Sequence, residues 1–128
     1  MNKTRILQEI LNQRIMVLDG AMGTMTQRLG LQELDYRGGR FKDHPVDLKG
    51  NTDILSLTQA EEIATIHRQY FHAGADIIET NTFNANALSQ KDYQLSDTVY
   101  EMNFRSAQLA RQVTDEFGRW HRARNTGP

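Results

Sequence analysis

The stretch Ile15-Met16-Val17-Leu18-Asp19-Gly20 decides the expected fold, because four consecutive apolar residues stop abruptly at an Asp-Gly turn. A run too short for a helix and without polar alternation predicts a strand buried on both faces, as in parallel sheets. A second such run, Asp76-Ile77-Ile78-Glu79-Thr80, ends in the polar stretch Asn81-Thr82-Phe83-Asn84. Between the two, Thr58 and Glu61 have capping-box spacing, and Ile63, Ile66, His67, Tyr70 and Phe71 continue one helical face up to Gly74. Strand, helix, strand predicts a parallel pair.

Working outward, Ile6, Leu7, Ile10 and Leu11 predict an amphipathic helix between Lys3 and Arg14. Met22, Met25 and Leu29 predict a brief helix stopped by Gly30. From Gly30 to Asp53 the chain carries Gly38, Gly39, Pro45 and Gly50, which reads as a long irregular excursion of the functional kind. A second capping box, Thr98 with Glu101, opens a last helix through Val99, Met102, Ser106, Leu109, Val113 and Phe117, with Gly118 as its expected stop and Gly127-Pro128 as turn chemistry. The fold class expected is therefore α/β, built of two βα units. Two parallel strands do not close a sheet, so residues 1–128 are expected to form a single partial domain whose fold continues beyond Pro128.

Composition narrows the function. With 38% apolar and 24% charged residues the chain is globular, and 15 basic against 16 acidic residues give no general attraction to nucleic acid or anionic membrane. The basic segment Arg119 to Arg124 reads as the cationic end of a helix. Lys3, Arg5, Glu9, Arg14 and Asp19 interrupt any signal core or membrane span, so a cytoplasmic protein with a small-molecule partner is expected. The absence of cysteine excludes a disulfide, a thiolate zinc site and a cysteine nucleophile within these residues. Histidine does not fill the gap: His67 and His72 lie about 140° apart around a helix axis, and structural or surface roles are expected for them, His44 and His121. Sites in α/β folds form at the carboxyl ends of strands, which would place Asp19-Gly20 and Thr80-Asn81-Thr82 on one face. Spacing alone leaves these equally readable as plain loop residues.

The run Val17-Leu18-Asp19-Gly20-Ala21-Met22-Gly23-Thr24-Met25 resembles the first strand and turn of the homocysteine S-methyltransferase family. Arg37-Gly38 through Phe41 and Asp47-Leu48-Lys49-Gly50-Asn51 are similar to the long first loop of that family's cobalamin-dependent methionine synthases, rather than of its shorter cobalamin-free enzymes. The stretch Tyr70 to Asn84 and the pair Asn103-Phe104 fit the same branch, so the resemblance spans about Leu11 to Phe117. One departure is Ala21, where many relatives have a second glycine.

The resemblance implies the first two βα units of an incomplete (β/α)8 TIM barrel, which needs ~250 residues when complete. It also implies part of a methionine synthase, which moves a methyl group from methylcobalamin, and ultimately from methyltetrahydrofolate, to homocysteine, with the cobalamin and folate functions on other domains. The family holds the homocysteine thiol on zinc through three cysteines from later strands, so zinc and cobalamin belong to the full-length enzyme and none is expected on this chain alone. Asp19 and Gly20, with the backbone of Ala21 and Met22, match the amino-acid-binding turn: Asp19 would accept from the α-ammonium and the following N–H groups would receive the α-carboxylate. Thr82 and Asn84 would line the same pocket. The isolated chain is expected to be inactive. Two other readings stand beside this one: a non-catalytic relic or self-associating binding module, and an unrelated phosphate-binding barrel, against which a carboxylate at Asp19 argues by repulsion.

Overall fold

The computed structural model describes residues 2–125, with side chains through Arg119. Helix α1 (Lys3–Leu11) is capped by the Asn2 side chain, which accepts from the Thr4 amide at 3.0 Å. The short α2 (Met22–Arg28) stops before Gly30, whose φ of +64° suits glycine. Inside the stretch expected to be irregular lies α3 (Glu33–Arg37), closed at its start by the Asp35 carboxylate accepting from the Gln32 amide. A 3-10 turn, Thr52–Ile54, leads into α4 (Leu55–Thr58), followed by α5 (Ala60–His72), α6 (Ala87–Gln90) and, after a second 3-10 turn at Ser96–Thr98, α7 (Val99–Asn125).

Helices α4 and α5 both pack on α7, and the core lies along that seam. Ile54, Leu55, Ile63, Ile66 and Met102 are buried there with Leu48 and Leu95 from the connecting loops. A second cluster joins Ala64, Phe71 and Val113, with Phe71 stacked on Phe117 at 4.7 Å. The expected face of α5 is thus the buried one, apart from Tyr70, which is half-buried. Arg68 ties the seam from outside, donating to Glu61 at 2.6 Å and to Glu116 of α7 at 3.1 Å.

The expected α/β class, with two βα units of a TIM barrel, is overturned. The described residues are helical and contain no sheet; the two apolar runs meet at a single parallel bridge, Leu18 with Ile77. Asp19 donates its N–H to the Ile77 carbonyl at 2.9 Å, and Asp76 donates to Val17 at 2.8 Å. The physical reason is the lack of neighbours. Ile15 is 85% exposed and Val17 52%, so the run read as buried on both faces has no apolar partner on either flank. Without flanking strands the ladder does not propagate. Ion pairing holds the contact instead: Arg14 donates to both Asp76 oxygens at 2.7 and 2.8 Å, and Asp76 also accepts from the Val17 amide at 2.8 Å. These bonds hold the Asp76 carboxyl down at about 2.

Three local expectations change as well. Thr58 is the last residue of α4, so it does not cap α5, which begins after an uncapped Gln59. Glu101 closes no box with Thr98 but forms a bidentate pair with Arg40 at 2.6 and 2.7 Å, where one strong ion pair outcompetes a backbone N–H. Gly118 does not stop α7, because an interior glycine costs only about 1 kcal/mol and this one lacks the positive φ of a cap. The side chains from Trp120 to Arg124 and the Gly127-Pro128 turn lie outside the described residues.

Candidate functional site

Where the Leu18–Ile77 bridge ends, the chain opens a cleft of about 380 Å³. One wall is Asp19 to Gly23, the other is Glu79 to Asn84, and Thr52 with Asp53 form the floor. All of the residues singled out in the sequence, Asp19, Gly20, Ala21, Met22, Thr82 and Asn84, line it. Their convergence follows from the single bridge, which sets the two polar ends side by side. Among the described lining residues there are carboxylates at Asp19, Asp53 and Glu79 and no Lys, Arg or His. The cleft therefore favours a cationic group.

Asp19 is partly buried, and both of its oxygens accept from the Glu79 amide at 3.2 Å. Burial pushes its carboxyl above the ordinary range, the Glu79 amide opposes that, and the Glu79 carboxylate adds to it. Further acceptor capacity remains on each oxygen. Gly20 lies under Tyr70: a Cβ there would stand 3.2 Å from the Tyr70 hydroxyl, which donates to the Ala21 carbonyl at 3.1 Å. That bond occupies the Ala21 carbonyl, and α2 begins next with no side-chain cap on its first amides.

The opposite wall is built from buried polar groups. Asp53 is 2% exposed and accepts from the Asn84 amide at 2.8 Å. Burial raises its carboxyl, against the backbone amides that favour the ionised form. Asn81, also buried, donates to the Thr52 carbonyl at 2.8 Å and to the Ser56 hydroxyl at 3.2 Å. The Thr80 and Thr82 hydroxyls share a bond of 2.7 Å at the rim, where Phe83 is 95% exposed. Asp53 went unnoticed in the sequence because it closes a stretch read as loop; the polar triplet Asn51-Thr52-Asp53 ahead of Ile54-Leu55 was the available signal.

The histidines among the described side chains, His44, His67 and His72, sit elsewhere. His67 is fully buried in the α5 face, the His44 ring bonds the Tyr93 carbonyl at 2.7 Å, and His72 stands edge-on to Phe117. The zinc site implied by the resemblance needs three thiolates; the chain has no cysteine, and no three His, Asp or Glu side chains among the described residues lie so that they could hold a metal ion. The donor set does not fit that metal. No helix among the described residues is long and apolar enough to cross a membrane.

The wall that carries Asp19, the bridge and the helices behind them all fall within one matched segment: the profile of the homocysteine S-methyltransferases covers residues 16–128, and this chain belongs to that family.

Proposed function

We propose that the cleft between Asp19 and Asn84 is the amino-acid end of a homocysteine site, and that the chain serves a cobalamin-dependent methyl transfer that makes methionine. Family membership supports homocysteine methylation in the coarse sense. The observation that carries the finer reading is the Asp19 carboxylate in a cleft whose described lining has no competing cation. An α-ammonium there gains a charge-assisted hydrogen bond in a partly desolvated setting. The α-carboxylate meets backbone N–H groups at the start of α2, while Thr82 and Asn84 supply neutral polar contacts on the far wall. The likeness of residues 37–41 and 47–51 to the cobalamin-dependent branch supports the donor. None of those residues lines the cleft, so no residue here is assigned to cobalamin.

Methyl transfer forms a sulfur–carbon bond while the bond between the methyl carbon and its donor breaks, and it releases the thiol proton. A thiol of ordinary pKa, about 8.5, is mostly protonated at neutral pH. The described lining has no Lys, Arg or His to stabilise a sulfur anion, so this cleft binds and orients homocysteine but does not make its thiolate. The chain alone is accordingly inactive in turnover, and its measurable property is binding.

Titration calorimetry of the chain with L-homocysteine tests this, with inorganic phosphate as the competing ligand. Asp19→Asn keeps an acceptor for the Glu79 amide and removes the charge, and is expected to weaken homocysteine about tenfold or more. Equal binding by Asp19→Asn, or phosphate binding without homocysteine binding, would falsify the assignment. The exposed apolar side chains Ile15, Val17, Leu18 and Ile77 favour a second reading, a self-associating binding module. Sedimentation that changes with protein concentration, with no homocysteine heat, would select it.

A further inference from the structure

Several buried polar side chains converge on the backbone of one residue, Asn84, and so on the two peptide units that flank its Cα. Asp53 takes the Asn84 N–H at 2.8 Å, and Gln90, fully buried, donates from Nε2 to the Asn84 carbonyl at 3.0 Å. Gln90 is itself locked by a reciprocal pair with buried Asn51, accepting at 2.7 Å and donating at 3.1 Å. With one amide hydrogen and the oxygen committed to Asn51, the other hydrogen has a single direction left, toward Asn84.

Burying a carboxylate and two carboxamides costs several kcal/mol unless each is partnered. Here the partner is a loop whose side chain in the core is the small Ala85, 7% exposed. Its large apolar residue, Phe83, is 95% exposed, and the Asn84 side chain is exposed as well. A loop held for packing would bury its phenylalanine. This one is held by its backbone on both sides while Thr82 and Asn84 line the cleft.

We infer that Asp53 and Gln90 are positioning residues that clamp the Asn84 backbone, one at its N–H and the other at its carbonyl, and so fix the far wall of the cleft for its ligand. The inference rests on the reading of the cleft as a homocysteine site. Asp53 acts through the backbone and not on the ligand.

The test uses the full chain, ¹⁵N-labelled, with two readouts in each sample: hydrogen exchange at the Asn84 amide and a homocysteine titration. Asp53→Leu is expected to speed Asn84 exchange at least tenfold and weaken homocysteine about tenfold, the loss of one charge-assisted bond. Asp53→Asn keeps an acceptor and should restore both to within about threefold of the parent chain. Should Asp53→Leu not fold, Gln90→Leu releases the carbonyl side and is read the same way. Unchanged exchange in Asp53→Leu overturns the clamp, and faster exchange with unchanged affinity overturns its role in binding. An Asp53→Asn chain that keeps Asn84 protected yet binds as poorly as Asp53→Leu shows direct ligand contact and also overturns it. If the parent chain takes no homocysteine, the reading of the cleft fails, and the Asn84 exchange still decides whether the clamp exists.

Discussion

His67 stands on the buried stripe of α5 between Ile63 and Phe71, four residues either side, and is 0% exposed with neither ring nitrogen hydrogen-bonded. A neutral imidazole there forgoes one donor and one acceptor bond that water would supply. The usual cost of such groups is about 1 to 3 kcal/mol, so His67→Leu, which fills similar space with apolar atoms, is expected to stabilise the chain by roughly that amount at pH 8. Burial also lowers the imidazole pKa below 6.5, since the charged ring is disfavoured in the core. The sign follows: above pH 6.5 both states are neutral and stability is at its plateau. As pH falls below 6.5 the unfolded chain takes up the proton first, and stability drops until the folded pKa is passed. A single group limits that slope to about 1.4 kcal/mol per pH unit. Urea unfolding of both chains at pH 8, 6.5 and 5 measures it. A parent chain with no slope between pH 6.5 and 5, or a leucine variant less stable at pH 8, would refute the reasoning.

Gly38 has φ +53°, and a Cβ there would sit 3.2 Å from the Thr58 Cβ, so Gly38→Ala combines a glycine-only conformation with a clash; a loss of about 1 to 3 kcal/mol in the same urea assay is expected. The Asp76 carboxyl is depressed to about 2 by Arg14, so its contribution is complete above pH 3.8 and is lost as pH falls through about 2; Asp76→Asn should flatten that part of the acid unfolding curve. Homocysteine affinity, read by calorimetry from pH 7.5 downward, should be full while Asp19 is ionised. It should begin to fall at a higher pH than an ordinary aspartate would cause, because burial raises that carboxyl, and Asp19→Asn should show no such fall.

Periodicity located most of the helices, because a helix satisfies its own backbone and the signal and the structure share the same few turns. Ile63, Ile66 and Phe71 of α5 and Met102 and Val113 of α7 are buried where their spacing placed them. The apolar runs at Ile15 and Asp76 were different. A strand is completed by other strands, so four apolar residues state a need for partners without supplying them. The two runs meet in one bridge, stay largely exposed, and are held by Arg14 and Asp76. Gly38, Gly39 and Pro45 concealed order of another kind. Glu33 accepts from the Leu48 and Lys49 amides while Arg37 donates to the His44 and Val46 carbonyls, so the loop is stapled by side chains that no periodicity reports.

The cleft shows the same division. Spacing put Asp19-Gly20 and Thr80-Asn81-Thr82 on one face, and one bridge between the runs is enough to bring the two ends together; a binding role for Asp19, Gly20, Thr82 and Asn84 came from the resemblance alone. A complete sheet was not needed for that convergence, so the site expectation and the fold expectation separate. Asp53 and Gln90 were not legible, since what they recognise is the backbone of Asn84, and a main-chain N–H or carbonyl leaves no mark on the residue type across from it. A carboxylate that binds ligand and one that holds a loop look identical in a sequence. In this cleft they differ by burial and by partner: Asp19 is partly exposed with acceptor capacity to spare, whereas Asp53 is 2% exposed and occupied by the chain itself. On the proposed reading of the cleft, that difference gives the ammonium to Asp19 and the wall to Asp53.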